Sequence, residues 1–187
     1  MEVSLEPLDV ERDLALLHAW MTHPRSVFWM MQGASVDDVR REYAGIVANP
    51  HHDAWLGSVA DHPNFLAETY DPAHSPLAPL VDVLPGDLGM HVLVAPTDAP
   101  VHGFTATVFA AVMTHCFGLT GHAGVPTARV VVEPDVRNEA IHALNARAGF
   151  VVEREVELPD KTALLSTCTR EQWERSELGR THEGGSR

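Results

Sequence analysis

The sequence predicts an α/β (α+β) fold: a mixed central sheet of about seven strands with flanking helices. Three observations lead there. Apolar β-branched runs alternate with helix-spaced segments through the middle of the chain. Hairpin signals sit on either side of that middle. The length of 187 residues suits one domain around one core.

Residues 3–8 read as a first strand, and residues 13–21 as a helix with Leu14, Leu17 and Met21 at helical spacing. Pro24 stops that helix. Ser35 opens a second helix, with Asp38 three residues on as an acidic capping box. Its apolar stripe is Val36, Val39, Tyr43, Ile46 and Val47, and Asn49-Pro50 closes it. Residues 54–60 and 64–70 flank Asp61-His62-Pro63 as a hairpin. The proline-rich stretch 71–86 reads as a loop. Residues 88–95 form an apolar strand, residues 103–117 a helix ended by Gly118 and Gly121, and residues 128–132 another buried strand. Residues 137–148 form a helix capped by Gly149, and residues 150–158 and 162–169 a final hairpin. The expected division is a domain at 1–170 and a polar, flexible tail at 171–187. Strand-helix-strand-helix at the centre implies a parallel crossover inside the mixed sheet.

Composition excludes some classes of function. The net charge of -13 argues against a nucleic-acid groove, which needs clustered Lys and Arg, and against an anionic membrane surface. It tolerates a cationic substrate. Cys116 and Cys168 lie in apolar runs and read as small core residues, so no disulfide framework is expected. With no secretory signal pattern at the N-terminus, the expected compartment is the cytoplasm. The twelve histidines are scattered without HExxH spacing, and adjacent His51 and His52 diverge, so no metal is expected.

Four segments carry a family resemblance. The strongest is Glu133-Pro134-Asp135-Val136-Arg137-Asn138, followed by Ile141-His142-Ala143-Leu144-Asn145 and Ala148-Gly149-Phe150. The others are Trp20 to Arg25 with Phe28-Trp29, Phe65 to Tyr70, and Gly86 to Val94 around Gly89-Met90-His91. Over residues 5–170 the chain resembles the GNAT acetyltransferases. Within them it resembles the N-acyltransferases of aerobactin, alcaligin, mycobactin and desferrioxamine biosynthesis.

The resemblance implies splayed central parallel strands and transfer of an acyl group from acyl-CoA to an N-hydroxylated amine such as N-hydroxycadaverine. The product is a hydroxamate, a hard oxygen ligand for ferric iron. It implies that Val92, Leu93 and Val94 hold pantetheine by their backbone, with His102, Gly103, Phe104 and Thr105 around the pyrophosphate at a helix start. Pro100 and Thr105 depart from the family's loop, where a basic or amide residue and a small residue stand. Asn138 and Asn145 belong to the same donor site by resemblance.

The resemblance makes His91 the base, facing the acceptor, and Asp135 its partner. Asn145 replaces the tyrosine that many of these enzymes use as general acid. It would bond the leaving sulfur or pantetheine, or else His91 returns the proton it took. Trp29, Gln32, Glu68 and Tyr70 are the acceptor candidates; Glu68 and Tyr70 share a strand face, and a carboxylate there would hold a distal ammonium. Without the resemblance, His91 reads as a satisfied core histidine, Asp135 as a helix cap and the aromatics as core. Acetyl and succinyl donors, the identity of the hydroxylated amine and the oligomeric state stay open. So do an ordinary amine acceptor and a silent acyl-CoA-binding module.

Overall fold

In the computed structural model, which describes residues 2–184, seven strands form one sheet in the order β1-β2-β3-β4-β5-β7-β6. The strands are β1 (Val3–Pro7), β2 (His52–Val59), β3 (His62–Tyr70), β4 (Asp87–Val94), β5 (Arg129–Val132), β6 (Val151–Glu157) and β7 (Thr162–Thr169). The helices are α1 (Val10–Met21), α2 (Val36–Ala48), α3 (Phe104–Gly118), α4 (Glu139–Arg147), α5 (Arg170–Arg175) and α6 (Glu177–Gly184). The β4–β5 pair is parallel and the others are antiparallel.

Local chemistry sets the element ends. Asp9 caps α1 by accepting from the Arg12 amide at 3.1 Å. Ser35 and Asp38 make the expected reciprocal capping box on α2. The β2–β3 turn falls on Ala60 and Asp61, at φ 50° and 63°, so His62 already belongs to β3. That places the turn one residue earlier than the proline suggested, because two left-handed residues match the twist of a hairpin. Asn138 caps α4 by accepting from the Ile141 amide.

The sheet is covered on both faces. Leu14, Leu17, Met21, Val39, Tyr43 and Ile46 of α1 and α2 pack on Leu56, Leu66 and Leu93. On the other face, Val108, Phe109, Val112 and Cys116 of α3 pack on Phe65, Met90, Val130 and Val132. Val36 and Val47, expected in the α2 stripe, are exposed at its margins. Cys116 and Cys168 are free and buried, and burial pushes each thiol up to about 12.

Within the expected tail the chain forms two helices, α5 and α6, which run to Gly184. Thr169 and Gln172 form a capping box that starts α5, and Trp173 and Leu178 are buried in the α3 core. Residues 185–187 of that expected tail lie outside the described residues. Among the described residues, no helix is long and apolar enough to cross a membrane.

Two features of β4 position the site. Arg129 grips Asp87 through Nε at 2.7 Å and Nη2 at 2.6 Å, clamping the paired starts of β4 and β5. Pairing between those strands then ends at Gly89 and Val131, while β4 continues to Val94 alongside β3. From Met90 onward the β5-facing edge of β4 has no strand partner.

Candidate active site

Strand alternation assembles the site on the sheet face that carries α1 and α2. In the β3–β4 register Glu68 lies opposite His91 and Tyr70 opposite Gly89. Across the parallel pair Gly89 is level with Val131. Two residues further on, Glu133 therefore comes level with His91 on the same face.

His91 is held between two carboxylates. Its Nδ1 is 3.1 Å from Glu68 Oε2, and its Nε2 is 2.5 Å from Glu133 Oε1. Each buried carboxylate is anchored by a tyrosine: Tyr43 donates to Glu68 Oε1 at 2.7 Å, and Tyr70 to Glu133 Oε2 at 2.7 Å. Trp29 Nε1 donates to the Tyr43 hydroxyl at 3.2 Å, and its ring stands edge-on to His91. Lys161, from the β6–β7 turn, brings its ammonium to 3.7 Å from Glu133. His52 Nε2 stands 3.5 Å from Glu68, beyond a well-formed hydrogen bond. The His91 side chain keeps 34% of its surface open, so the cluster has a face that a substrate can reach.

This arrangement decides where protons rest. Burial disfavours the imidazolium, but the charge and hydrogen bonds of Glu133, and then of Glu68, outweigh it and raise His91 to about 10. Burial pushes both glutamates up. The nearby His52, with the bonds from His91 and Tyr43, overcomes that for Glu68, and His91, Lys161 and Tyr70 do so for Glu133, holding each at about 2. The two flanking carboxylates thus favour the doubly protonated imidazole over the neutral base.

The expected partner, Asp135, is engaged elsewhere. Its Oδ1 accepts from the Arg137 amide at 2.8 Å and from Arg137 Nε at 2.9 Å, and its Oδ2 from Nη2 at 2.6 Å. Past β5 the chain stays beside β7, with Pro134 accepting from the Leu164 amide and Asp135 bridged to Ala163; Glu133 reaches His91, while the Asp135 carboxylate is taken up by Arg137 at the approach to α4. Among the other expected residues, Trp29, Glu68 and Tyr70 converge on His91, but Glu68 faces the imidazole and is not free for a distal ammonium. Gln32 is exposed in the turn before α2 and makes no hydrogen bond to the cluster. The sequence places Tyr43 in the apolar stripe of α2 and Glu133 in the same motif as Asp135, with no role of their own. The signal for Glu133 was the period of two from Val131.

Of the expected donor-side residues, Val92, Leu93 and Val94 lie on the part of β4 that has no β5 partner. Gly103 caps α3 at φ 78°, a left-handed conformation that glycine adopts without strain, and no side chain caps the helix. His102, Gly103 and Thr105 are exposed around that helix start, with Phe104 half-buried. Asn145 is 4% exposed, and neither its Oδ1 nor its Nδ2 has a hydrogen-bond partner. An unpaired buried amide costs about 1–3 kcal/mol.

A family model described as Acetyltransferase (GNAT) domain matches residues 9–158. The chain belongs to the GNAT acetyltransferase family. Among relatives, the N-hydroxyputrescine acetyltransferase of Acinetobacter baumannii is 26% identical over 172 residues, covering 91% of this chain and 79% of that protein. SAT14 of Stachybotrys chartarum, designated an O-acetyltransferase, is 25% identical over 91% of this chain. The chain spans 36% of that protein's length. Among solved structures, AAC(6')-Ib in complex with ribostamycin and coenzyme A superposes with a TM-score of 0.79 at 22% identity, covering 94% of this chain and 97% of that one. That likeness shows the fold. The GNAT fold accounts for the parallel β4–β5 pair inside the mixed sheet.

Proposed function

We propose that this GNAT protein transfers an acyl group from acyl-CoA, acetyl or succinyl, to the hydroxylated nitrogen of an N-hydroxylated diamine. The product is a hydroxamate of the kind used in siderophores. The observation that carries this reading is His91 between Glu68 and Glu133. An alkylamine is itself protonated up to about pH 10.4. It needs a base before it can attack, and a histidine that keeps its protons to about 10 offers none at neutral pH. In an N-hydroxylated amine the adjacent oxygen withdraws electron density, so the nitrogen is already neutral there. The A. baumannii relative, named for N-hydroxyputrescine, supports the same substrate class.

The cluster then has one task, to move a proton from nitrogen to sulfur. The nitrogen attacks the thioester carbonyl, forming the N–C bond. The adduct nitrogen, far more acidic than an ammonium, gives its proton to Glu68. A neutral Glu68 no longer supports the imidazolium, so the proton affinity of His91 falls. His91 releases a proton to the departing thiolate as the C–S bond breaks, and Glu68 returns a proton to Nδ1. Glu133 holds Nε2 throughout and fixes the ring. Asn145 needs no acid role here; it positions pantetheine, with the Val92–Val94 backbone and the α3 start holding the rest of the donor. The cleft of about 440 Å³ that runs past His52 is lined by Asp38, Arg41 and Glu42; Asp38 is taken up by Arg41 and Ser35, which leaves Glu42 to hold the distal ammonium.

The deciding experiment is thiol release from acetyl-CoA and succinyl-CoA with N-hydroxycadaverine, N-hydroxyputrescine and cadaverine, using wild type and His91→Ala. Turnover confined to the hydroxylated amines, and about 10²- to 10⁴-fold slower in the variant, is expected. Equal use of cadaverine would overturn the substrate class, and turnover unchanged by the substitution would overturn the role of His91.

A further inference from the structure

Away from the His91 cluster, three chain segments meet around the carboxylate of Asp71. Asp71 directly follows β3, and its amide donates to the His51 carbonyl at 2.9 Å, which brings His51 beside it. His74, in the short turn that follows, places Nδ1 3.0 Å from Asp71 Oδ2. His122, from the segment between α3 and β5, places Nδ1 3.0 Å from both Asp71 oxygens. The His51 and His74 rings stack with centroids 3.5 Å apart and planes 2° from parallel.

We propose that His51, Asp71 and His74 form a binding site for a borderline divalent transition-metal ion of the Zn²⁺ type. Each residue has a ligand atom within 4.8 Å of those of the other two. A tetrahedral ion with ligands at about 2.0–2.1 Å spaces them about 3.3 Å apart. The 3.0 Å Asp71–His74 separation is already close to that edge, and the stacked His51 and His74 rings, both exposed, must tilt out of parallel for their lone pairs to converge on the ion. Two imidazoles and one carboxylate match zinc-class ions better than the all-oxygen shells of Mg²⁺ or Ca²⁺.

The carboxylate is also held from outside. The Ala73 amide donates to Asp71 Oδ1 at 2.9 Å, and His122 faces the same group. Such partners orient a metal-bound carboxylate and strengthen the site. His51 and His74 are exposed, so the ion has an entry path and keeps a coordination position for water. The site opens into a cavity of about 410 Å³ that Asp53 and Thr120 also line. An ion here would fasten the approach to β2 to the exit of β3 and to the start of the proline-rich loop.

The test uses tag-free protein titrated with Zn²⁺ by calorimetry and with Co²⁺ by visible absorption. Wild type is compared with His51→Ala, His74→Ala, His122→Ala and, as a control, His62→Ala. The expected result is one saturable equivalent, a tetrahedral Co²⁺ spectrum and a Zn²⁺-dependent rise in Tm. The His51 and His74 substitutions should abolish all three. His122→Ala should weaken binding about 10- to 100-fold, and His62→Ala should change nothing. Both ligand positions are exposed, and circular dichroism confirms that the variants fold. No saturable binding to wild type, or binding kept by both His51→Ala and His74→Ala, overturns the site.

Discussion

His91 Nε2 lies 2.5 Å from Glu133 Oε1, closer than its Nδ1 lies to Glu68 at 3.1 Å, so the imidazole has a fixed side and an exchangeable side. Glu133→Gln replaces the closer carboxylate with a neutral amide, and His91 should fall from about 10 toward its ordinary 6.5. If His91 donates the proton to sulfur, kcat/KM falls as pH rises through its proton loss. The alkaline limb should therefore move down by about one pH unit or more in the variant. The measurement is the pH profile of kcat/KM with an N-hydroxylated amine. Activity that instead rises through the alkaline range would make His91 the receiving base.

The same cluster sets a stability window. Its raised imidazole contributes fully below pH 6.5, and that contribution is lost as pH rises toward about 10. The two glutamates, lowered to about 2, contribute fully above 4.5 and lose that contribution as pH falls toward about 2. Both contributions are complete only between pH 4.5 and 6.5, where this cluster should give the greatest Tm. Thermal melts of wild type and Glu133→Gln check this. The variant should show a shallower decline on both sides, and parallel curves would show that the cluster is not linked to folding.

Asn145 separates binding from stability. Both of its polar side-chain atoms are buried and unpaired, so Asn145→Ala should cost little stability or even raise Tm. If the amide pairs with pantetheine, the same change should weaken CoA by about 1–2 kcal/mol, roughly 5- to 30-fold. Calorimetry with CoA and a thermal melt without it give the two numbers. A large loss of Tm with CoA affinity unchanged would make Asn145 a structural residue.

Which parts of this were legible follows from the range of each signal. Strand alternation is local, so Glu68, Tyr70 and His91 could be placed on shared faces from the sequence. Glu133 and Asp135 are two acids in one motif, and only their side-chain partners decide between them. Arg137 takes up Asp135, which is bridged to Ala163, and Glu133 is left to His91. The C-terminal helices were missed because six and eight residues give too little period to see. Thr169 with Gln172 three residues on was the readable cue. His51, Asp71 and His74 show no ligand spacing because β2–β3 pairing, a tertiary event, brings them together.

Gly89 offers the last test, because it shapes the site without touching a substrate. It lies opposite Tyr70 in the β3–β4 register, and a Cβ there would overlap the Tyr70 ring at Cε2 and Cζ. Gly89→Ala must therefore displace the ring whose hydroxyl donates to Glu133 at 2.7 Å. The expected cost is about 1–3 kcal/mol of stability from overpacking, with a fall in kcat. Tyr70→Phe removes the same hydroxyl bond without moving the ring, so it should lower kcat with a smaller loss of Tm. If Gly89→Ala acts on kcat through that bond, the double variant should be no slower than Gly89→Ala alone. Multiplicative losses would mean instead that the added methyl disturbs the β4 edge directly.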